Sequence, residues 1–195
     1  MFYKIARNIV LLIYKLMFSI KVSGLENIPQ SGGIILSGNH RSNHDPILLA
    51  VSQKRPLSFM AKDTLLKVPI VGFVLKHANV FPVKRGSGDI GAVKKAIEIL
   101  KNGGALSLFP EGTRNKTDNN LQEFKQGSAL IAYKSRSLIV PCGIMGKFRL
   151  FSRITIVYGK PINPADYGEK PDLNQITADL KTAVSQILSE SGAVN

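Results

Sequence analysis

Tryptophan is absent from this 195-residue chain and cysteine occurs once, at Cys142. A single thiol excludes an internal disulfide framework and a cysteine-rich zinc centre, and it fits a reducing compartment. Acidic residues are scarce, 13 against 26 lysines and arginines, for a net charge of +13. Such a balance seeks anions: nucleic acid, an anionic membrane surface or phosphorylated substrates. It is uneven along the chain, with 24 basic against 8 acidic residues over 1–160 and 2 against 5 over 161–195. Long apolar runs are missing too, since the longest uncharged stretch within residues 1–21 is the seven residues Asn8–Tyr14. That is too short to span a bilayer. There is no internal repeat, low-complexity tract or linker, and the length suits one compact domain.

What residues 1–21 do contain is a helical pattern. At 100° per residue Ile5, Ala6, Ile9, Val10, Leu12, Ile13, Leu16, Met17 and Ile20 share one face, while Lys4, Asn8, Lys15 and Ser19 gather opposite. A wide aliphatic face beside a basic one suits a helix lying in the headgroup plane of an anionic leaflet. The same face would also serve a first helix packed on the protein's own core. Lys15 and Lys21 interrupt the apolar stretch and no small-residue cleavage site follows, which argues against a signal peptide. The expected division is an amphipathic membrane-surface helix over 1–21 and a single α/β domain over 22–195.

Downstream, short β-rich runs alternate with helical patterns, the sign of an α/β domain. Strands are expected at Gly33–Ser37, Leu57–Ala61, Ala105–Phe109, Leu138–Ile144 and Arg153–Tyr158, with a short strand-like piece in VFPVKR at 80–85. Several of these runs are apolar on both faces, which predicts a mostly parallel central sheet covered by helices. The spacing of Val93, Ile97 and Leu100 predicts a helix from Ile90 to about Lys101, with Asp89 as its N-cap and Asn102-Gly103-Gly104 as its stop. A second amphipathic helix closes the chain on Leu173, Ile176, Leu180, Val184, Ile187 and Leu188.

The stretch GNHRSNHDP at 38–46 joins an apolar strand to an apolar helix, a place where α/β proteins put their sites. Asp45 and Pro46 suit the start of that helix. A loop histidine five residues upstream folds back onto such a carboxylate, which would fix its tautomer and leave the other ring nitrogen free to take a proton. Spacing therefore favours His40 over His44, because adjacent residues in irregular backbone point apart. With so few histidines and aspartates, about 0.1 such pairs arise by chance, and a histidine that only hydrogen-bonds locally remains the alternative. FPEGTR at 109–114 also ends an apolar strand: Gly112 would let a ligand approach backbone amides, and Arg114 offers a planar fork for phosphate.

NHRSNHD (39–45), VFPVKR (80–85), FPEGTR (109–114) and IVPCGI (139–144), in that order and spacing, resemble the four sequence blocks of the glycerolipid acyltransferase family, most closely its bacterial 1-acylglycerol-3-phosphate acyltransferases. FPEGTR is the specific part, and the likeness extends through most of residues 22–160. It implies that His40 is the catalytic base and Asp45 its partner, and that Arg85, Glu111, Gly112 and Arg114 bind the acceptor's glycerol phosphate, with Lys62 and Lys67 at basic positions near that site. Two positions depart from the pattern: Asn79 stands where glycine is expected and Lys84 where some members carry an acid.

The implied reaction moves a fatty acyl group from acyl-CoA or acyl carrier protein to the sn-2 hydroxyl of lysophosphatidic acid, giving phosphatidic acid, at the cytoplasmic face of the cell membrane. No cofactor and no metal are expected, and the partners are these substrates and an anionic membrane surface. Another lysophospholipid or polyol acceptor is the alternative within the enzyme class. A non-catalytic nucleic-acid-binding protein is the alternative outside it, but the chain carries no recognisable nucleic-acid module and its aromatics do not interleave with its basic residues. Nor does a covalent route suggest itself, since Cys142 sits inside an apolar strand pattern where thiols are inert packing.

Overall fold

The computed structural model describes residues 2–69, 72, 75, 77–83, 89–115 and 121–192. Among these, seven strands form one sheet: β1 (Ser19–Ser23), β2 (Ile34–Gly38), β3 (Leu57–Lys62), β4 (Val80–Val83), β5 (Ala105–Leu108), β6 (Leu138–Gly146) and β7 (Arg153–Tyr158), in the order β1-β7-β6-β2-β5-β3-β4. Every neighbouring pair is parallel except β6 with β7, which form an antiparallel hairpin. The helices are α1 (Phe2–Met17), α2 (Asp45–Ser52), α3 (Asp63–Leu66), α4 (Ile90–Lys101), α5 (Gly127–Ser135) and α6 (Leu173–Gly192). The chain is thus an α/β protein with a mostly parallel sheet, as its two-faced apolar strands predict.

Those strands bury both faces by alternation. Ile34 and Leu36 of β2 pack with Tyr14, Phe18, Leu48 and Leu49 toward α1 and α2, while Ile35 between them packs with Leu100, Ala132, Ile176 and Leu180 toward α4, α5 and α6. All three β2 side chains are fully buried. β6 repeats the pattern, with Val140 and Cys142 on the first face and Ile139 on the second. Helix α4 has the expected limits, and the Asp89 carboxylate accepts the Ala92 N–H as a side-chain cap. Asn79 has φ 58°, the left-handed region where asparagine tolerates what glycine adopts freely, so the substitution at that position retains the turn into β4.

Two sequence expectations need correction. The first helix ends at Met17, and Ser19 and Ile20, expected on its last turn, lie in edge strand β1 beside β7. Phe18 is the reason: it is 4% exposed in the core, and the Ser19 N–H donates to the Ser152 carbonyl rather than back along a helix. The second concerns the wide aliphatic face of α1, which divides. Val10 and Met17 pack against the core with Tyr14, whereas Ile5, Ile9, Leu12, Ile13 and Leu16 are exposed. The helix meets core with one edge of its apolar face and solvent with the other.

Arg7 anchors α1 across this face. Its guanidinium donates to the carbonyls of Ala50 (3.2 Å), Val51 (3.1 Å) and Gln53 (3.0 Å), closing the C-terminal end of α2, where orphan carbonyls and the helix dipole favour a cation. Replacing it leaves three partly buried acceptors short of donors. Arg7→Ala is expected to lower stability by about 1–3 kcal/mol in urea unfolding, and an unchanged midpoint would mean that water replaces the guanidinium without loss.

Candidate active site

Because β2, β3, β4, β5 and β6 run the same way, their C-terminal ends share one edge of the sheet. That edge collects the chemistry predicted from sequence. β2 ends at Gly38, where a Cβ would lie 2.3 Å from the Cys142 carbonyl oxygen, so only glycine permits the close approach to β6. Buried Asn39 then imitates one more ladder residue, donating to the Ile144 carbonyl and accepting the Ile144 N–H at 2.9 and 2.8 Å. Held this way, the chain delivers His40 at the strand end.

His40 Nδ1 lies 2.9 Å from Oδ2 of Asp45, whose side chain is 1% exposed at the first position of α2. The same oxygen accepts the Arg41 and Ser42 N–H groups, each at 2.6 Å. Three donors on one oxygen and a helix N-terminus behind it keep Asp45 an acceptor, so Nδ1 carries the proton and Nε2 presents a lone pair. Among the described residues Nε2 has no hydrogen-bond partner, and the imidazole is 13% exposed. The ring stacks on Phe109 with centroids 4.1 Å apart and an interplanar angle of 18°, which fixes its plane.

The FPEGTR segment enters the site in an unforeseen manner. Glu111 is buried, and both its oxygens accept backbone N–H groups, Oε1 from His40 at 2.7 Å and Oε2 from Gln122 at 3.2 Å. The Asn115 N–H in turn donates to the His40 carbonyl at 2.7 Å. His40 is therefore gripped by its amide, its carbonyl and its ring. Gly112 has φ +72° and its N–H donates to the Phe109 carbonyl, so its amide already has an acceptor and its lack of a side chain permits the turn. A Cβ there would sit 3.1 Å from Nζ of Lys125, an exposed cation over the turn that sequence reasoning did not single out. The signal was available in FKQG at 124–127, a basic residue heading α5, but a lone lysine before a helix is common.

The remaining predicted residues are less closely gathered. Arg114 is exposed and without an ion pair among the described residues; Lys62 is exposed at the end of β3, next to β5; Lys67 pairs with Asp63 at 3.6 Å. Arg85 and Lys84 lie outside the described residues. His44 faces elsewhere. Its Nδ1 shares a 2.6 Å hydrogen bond with the Tyr14 hydroxyl, and its ring stacks on Phe148 and meets Tyr14 and Phe18 edge-on. Burial, with help from the Asp45 charge, pushes the Tyr14 phenol up to about 12, so it stays protonated. Cys142 is fully buried and burial raises its thiol far above the ordinary range, which removes it as a nucleophile. Among the described residues no group of three or more His, Cys, Asp or Glu could hold a metal ion.

The acyltransferase family model matches residues 19–145. The chain is 29% identical to the 1-acyl-sn-glycerol-3-phosphate acyltransferase of Bacillus subtilis over 96% of each protein. It is 37% identical to that of Borreliella burgdorferi over 62% of this chain, but spans about half of that relative's length (48%). Its fold matches the crystal structure of the 1-acyl-sn-glycerophosphate (LPA) acyltransferase PlsC from Thermotoga maritima with a TM-score of 0.81 and 25% identity, covering 98% of this chain and 81% of that one.

The double use of Glu111 has a measurable consequence. Glu111→Gln keeps the shape but leaves one oxygen to serve two N–H groups, and stability should fall by about 1–3 kcal/mol in urea unfolding. Amide exchange at His40 should quicken in parallel, and unchanged exchange there would show that Glu111 does not hold the His40 backbone.

Proposed function

The chain belongs to the acyltransferase family and is an O-acyltransferase, and from that premise we infer that it transfers a fatty acyl group from acyl-CoA or acyl carrier protein to the sn-2 hydroxyl of 1-acylglycerol-3-phosphate. The observation that carries the reading is the 2.9 Å pair of His40 and buried Asp45, with Nε2 free of partners among the described residues. The names of the relatives supply the acceptor and product class.

In this mechanism Nε2 of neutral His40 takes the proton of the acceptor hydroxyl as its oxygen attacks the thioester carbonyl. Asp45 stabilises the imidazolium that forms. Collapse of the tetrahedral intermediate expels the thiolate, a leaving group with a pKa near 8.5 for an ordinary thiol, about the value of cysteine; no strong general acid is required. Positioned base catalysis of this kind contributes about 10²- to 10⁴-fold. Arg114, Lys62, Lys67 and Lys125 supply cations along the same sheet edge for the acceptor phosphate, with Arg85 from the resemblance. Holding that phosphate would orient the hydroxyl toward Nε2, an effect as large as the base itself.

The membrane is the natural place for this reaction, because acceptor and product are both lipids. No helix among the described residues is long and apolar enough to cross a bilayer. We assign α1 to the headgroup plane of an anionic cytoplasmic leaflet, with Ile5, Ile9, Leu12, Ile13 and Leu16 turned into the lipid.

Purified protein in lipid vesicles with lysophosphatidic acid and either donor should yield phosphatidic acid. His40→Ala should lose about 10²- to 10⁴-fold of the rate, while a folded His44→Ala should keep most of it. Equal loss in both variants, or no product with either donor, would count against the reading; product only with other lysophospholipids or polyols would keep the chemistry and change the acceptor. For the membrane contact, deleting α1 is not a clean test, since Tyr14 and Arg7 tie it to the core. Replacing exposed Ile9, Leu12 and Leu16 with serine should instead weaken vesicle sedimentation by about a hundredfold without altering thermal unfolding. Unaltered sedimentation would remove α1 from the interface.

A further inference from the structure

We propose that the turn between β6 and β7, residues Lys147–Ser152, is a second membrane-inserting element that enters the same anionic leaflet as α1. Of the five most exposed large apolar residues among those described, Phe151 (76%), Ile90 (69%), Leu16 (68%), Leu150 (62%) and Leu12 (61%), four lie on α1 or on this turn. The two elements are joined directly. The Phe151 N–H donates to the Met17 carbonyl at 2.6 Å, at the last residue of α1, and the Ser19 N–H donates to the Ser152 carbonyl. The apolar surface therefore runs from helix to turn without a break in the backbone connections.

The turn is built to present its tip. The Arg149 N–H donates to the Lys147 carbonyl and the Ser152 N–H to the Arg149 carbonyl, while the Ser152 hydroxyl also donates to the Lys147 carbonyl. With the backbone closed on itself, Leu150 and Phe151 are left pointing outward. Phe151 has φ 63°, a conformation disfavoured for a bulky side chain, yet the ring packs on no aromatic partner of the described chain. Water gives no return for holding a phenylalanine this way.

Charge commits the surface to a lipid leaflet. Lys147, Arg149 and Arg153 lie in the turn or next to it, and Lys15 and Lys21 lie on α1 and β1, the two elements that its backbone bonds join; all five are exposed and none has an ion pair among the described residues. No acidic residue occurs before Glu26 or between Glu123 and Asp166, so the two segments that supply α1 and the turn carry only positive charge. Apolar side chains ringed by unpaired cations match acyl chains beneath anionic headgroups. β6 also ends on the sheet edge that carries His40, since it runs parallel to β2. An inserted turn would thus hold the site against the surface that contains its lipid acceptor.

This extends the membrane assignment of α1 but is tested without acyl transfer. The chain has no tryptophan, so Leu150→Trp places a single indole at the tip, at a position too exposed to disturb folding. With vesicles of phosphatidylcholine and phosphatidylglycerol in equal parts, its emission should shift to the blue and be quenched by lipids brominated along the acyl chain, less so in high salt. Unchanged emission from protein that sediments with the vesicles would overturn the proposal and leave α1 as the contact. A blue shift that grows with protein concentration before vesicles are added would overturn it in favour of a second copy of the chain. As a second measurement, Leu150→Asp combined with Phe151→Asn, which suits a positive φ, should weaken vesicle binding about tenfold or more with thermal unfolding unchanged; undiminished binding would count against it.

Discussion

A buried carboxylate organises the proposed active site. Asp45 is almost wholly removed from water, and an uncompensated carboxylate in that position would cost several kcal/mol. Three donors converge on its Oδ2 instead, two of them backbone amides at 2.6 Å, and the N-terminus of α2 adds its partial positive charge. Satisfying the carboxylate requires residues 40–42 to wrap around it, and that wrapping sets the direction of the His40 ring. The residue that orients the imidazole is thereby the residue that folds the loop. Oδ1 of Asp45 is buried without a hydrogen-bond partner among the described residues, so the compensation there falls on Oδ2.

Glu111 repeats the principle from the neighbouring strand. It too is buried, and it too is held by amides, one of them the amide of His40. Two carboxylates thus grip one histidine, Asp45 at the ring and Glu111 at the backbone, while Phe109 stacks on its face. Preorganisation of this kind would keep the proposed base in place before substrate arrives, which is where most of its value in a positioned proton transfer lies. It also distinguishes roles within FPEGTR. Glu111 holds backbone amides and Gly112 makes the turn, whereas Arg114 is exposed and without an ion pair among the described residues.

The sequence made some of this legible and hid the rest for physical reasons. Two-faced apolar runs such as GIILS announce a buried parallel strand because nothing else buries consecutive side chains on opposite faces. The His40 and Asp45 pair was legible because five residues and a helix start nearly determine the geometry. Strand β1 was not: Ile20 and Val22 continue the aliphatic composition of α1, and its pairing with β7 lies more than 130 residues away in the chain. The role of Glu111 was hidden likewise, because its partner is the backbone of residue 40, and backbone donors leave no trace in residue type. Arg7 carries no mark in the sequence, although it closes α2, since the carbonyls it meets are equally invisible.

The division of the apolar face of α1 links these observations. A helix buried on its whole aliphatic face would be scaffold, and one exposed on all of it would be a detachable anchor. This one is buried along one edge and exposed along the other, with Tyr14 in the core and Leu16 in the open. Tyr14 reaches the His44 ring, His44 stacks on Phe148, and Phe148 lies within the β6–β7 turn. His44 immediately precedes Asp45. Any force on α1 or on the turn at a membrane surface would therefore be felt through a packed aromatic cluster at the residue next to the carboxylate that orients His40. A closely packed interior transmits such displacement rather than absorbing it, so the same contacts that seat the helix also tie the geometry of the proposed base to the proposed membrane-facing surface.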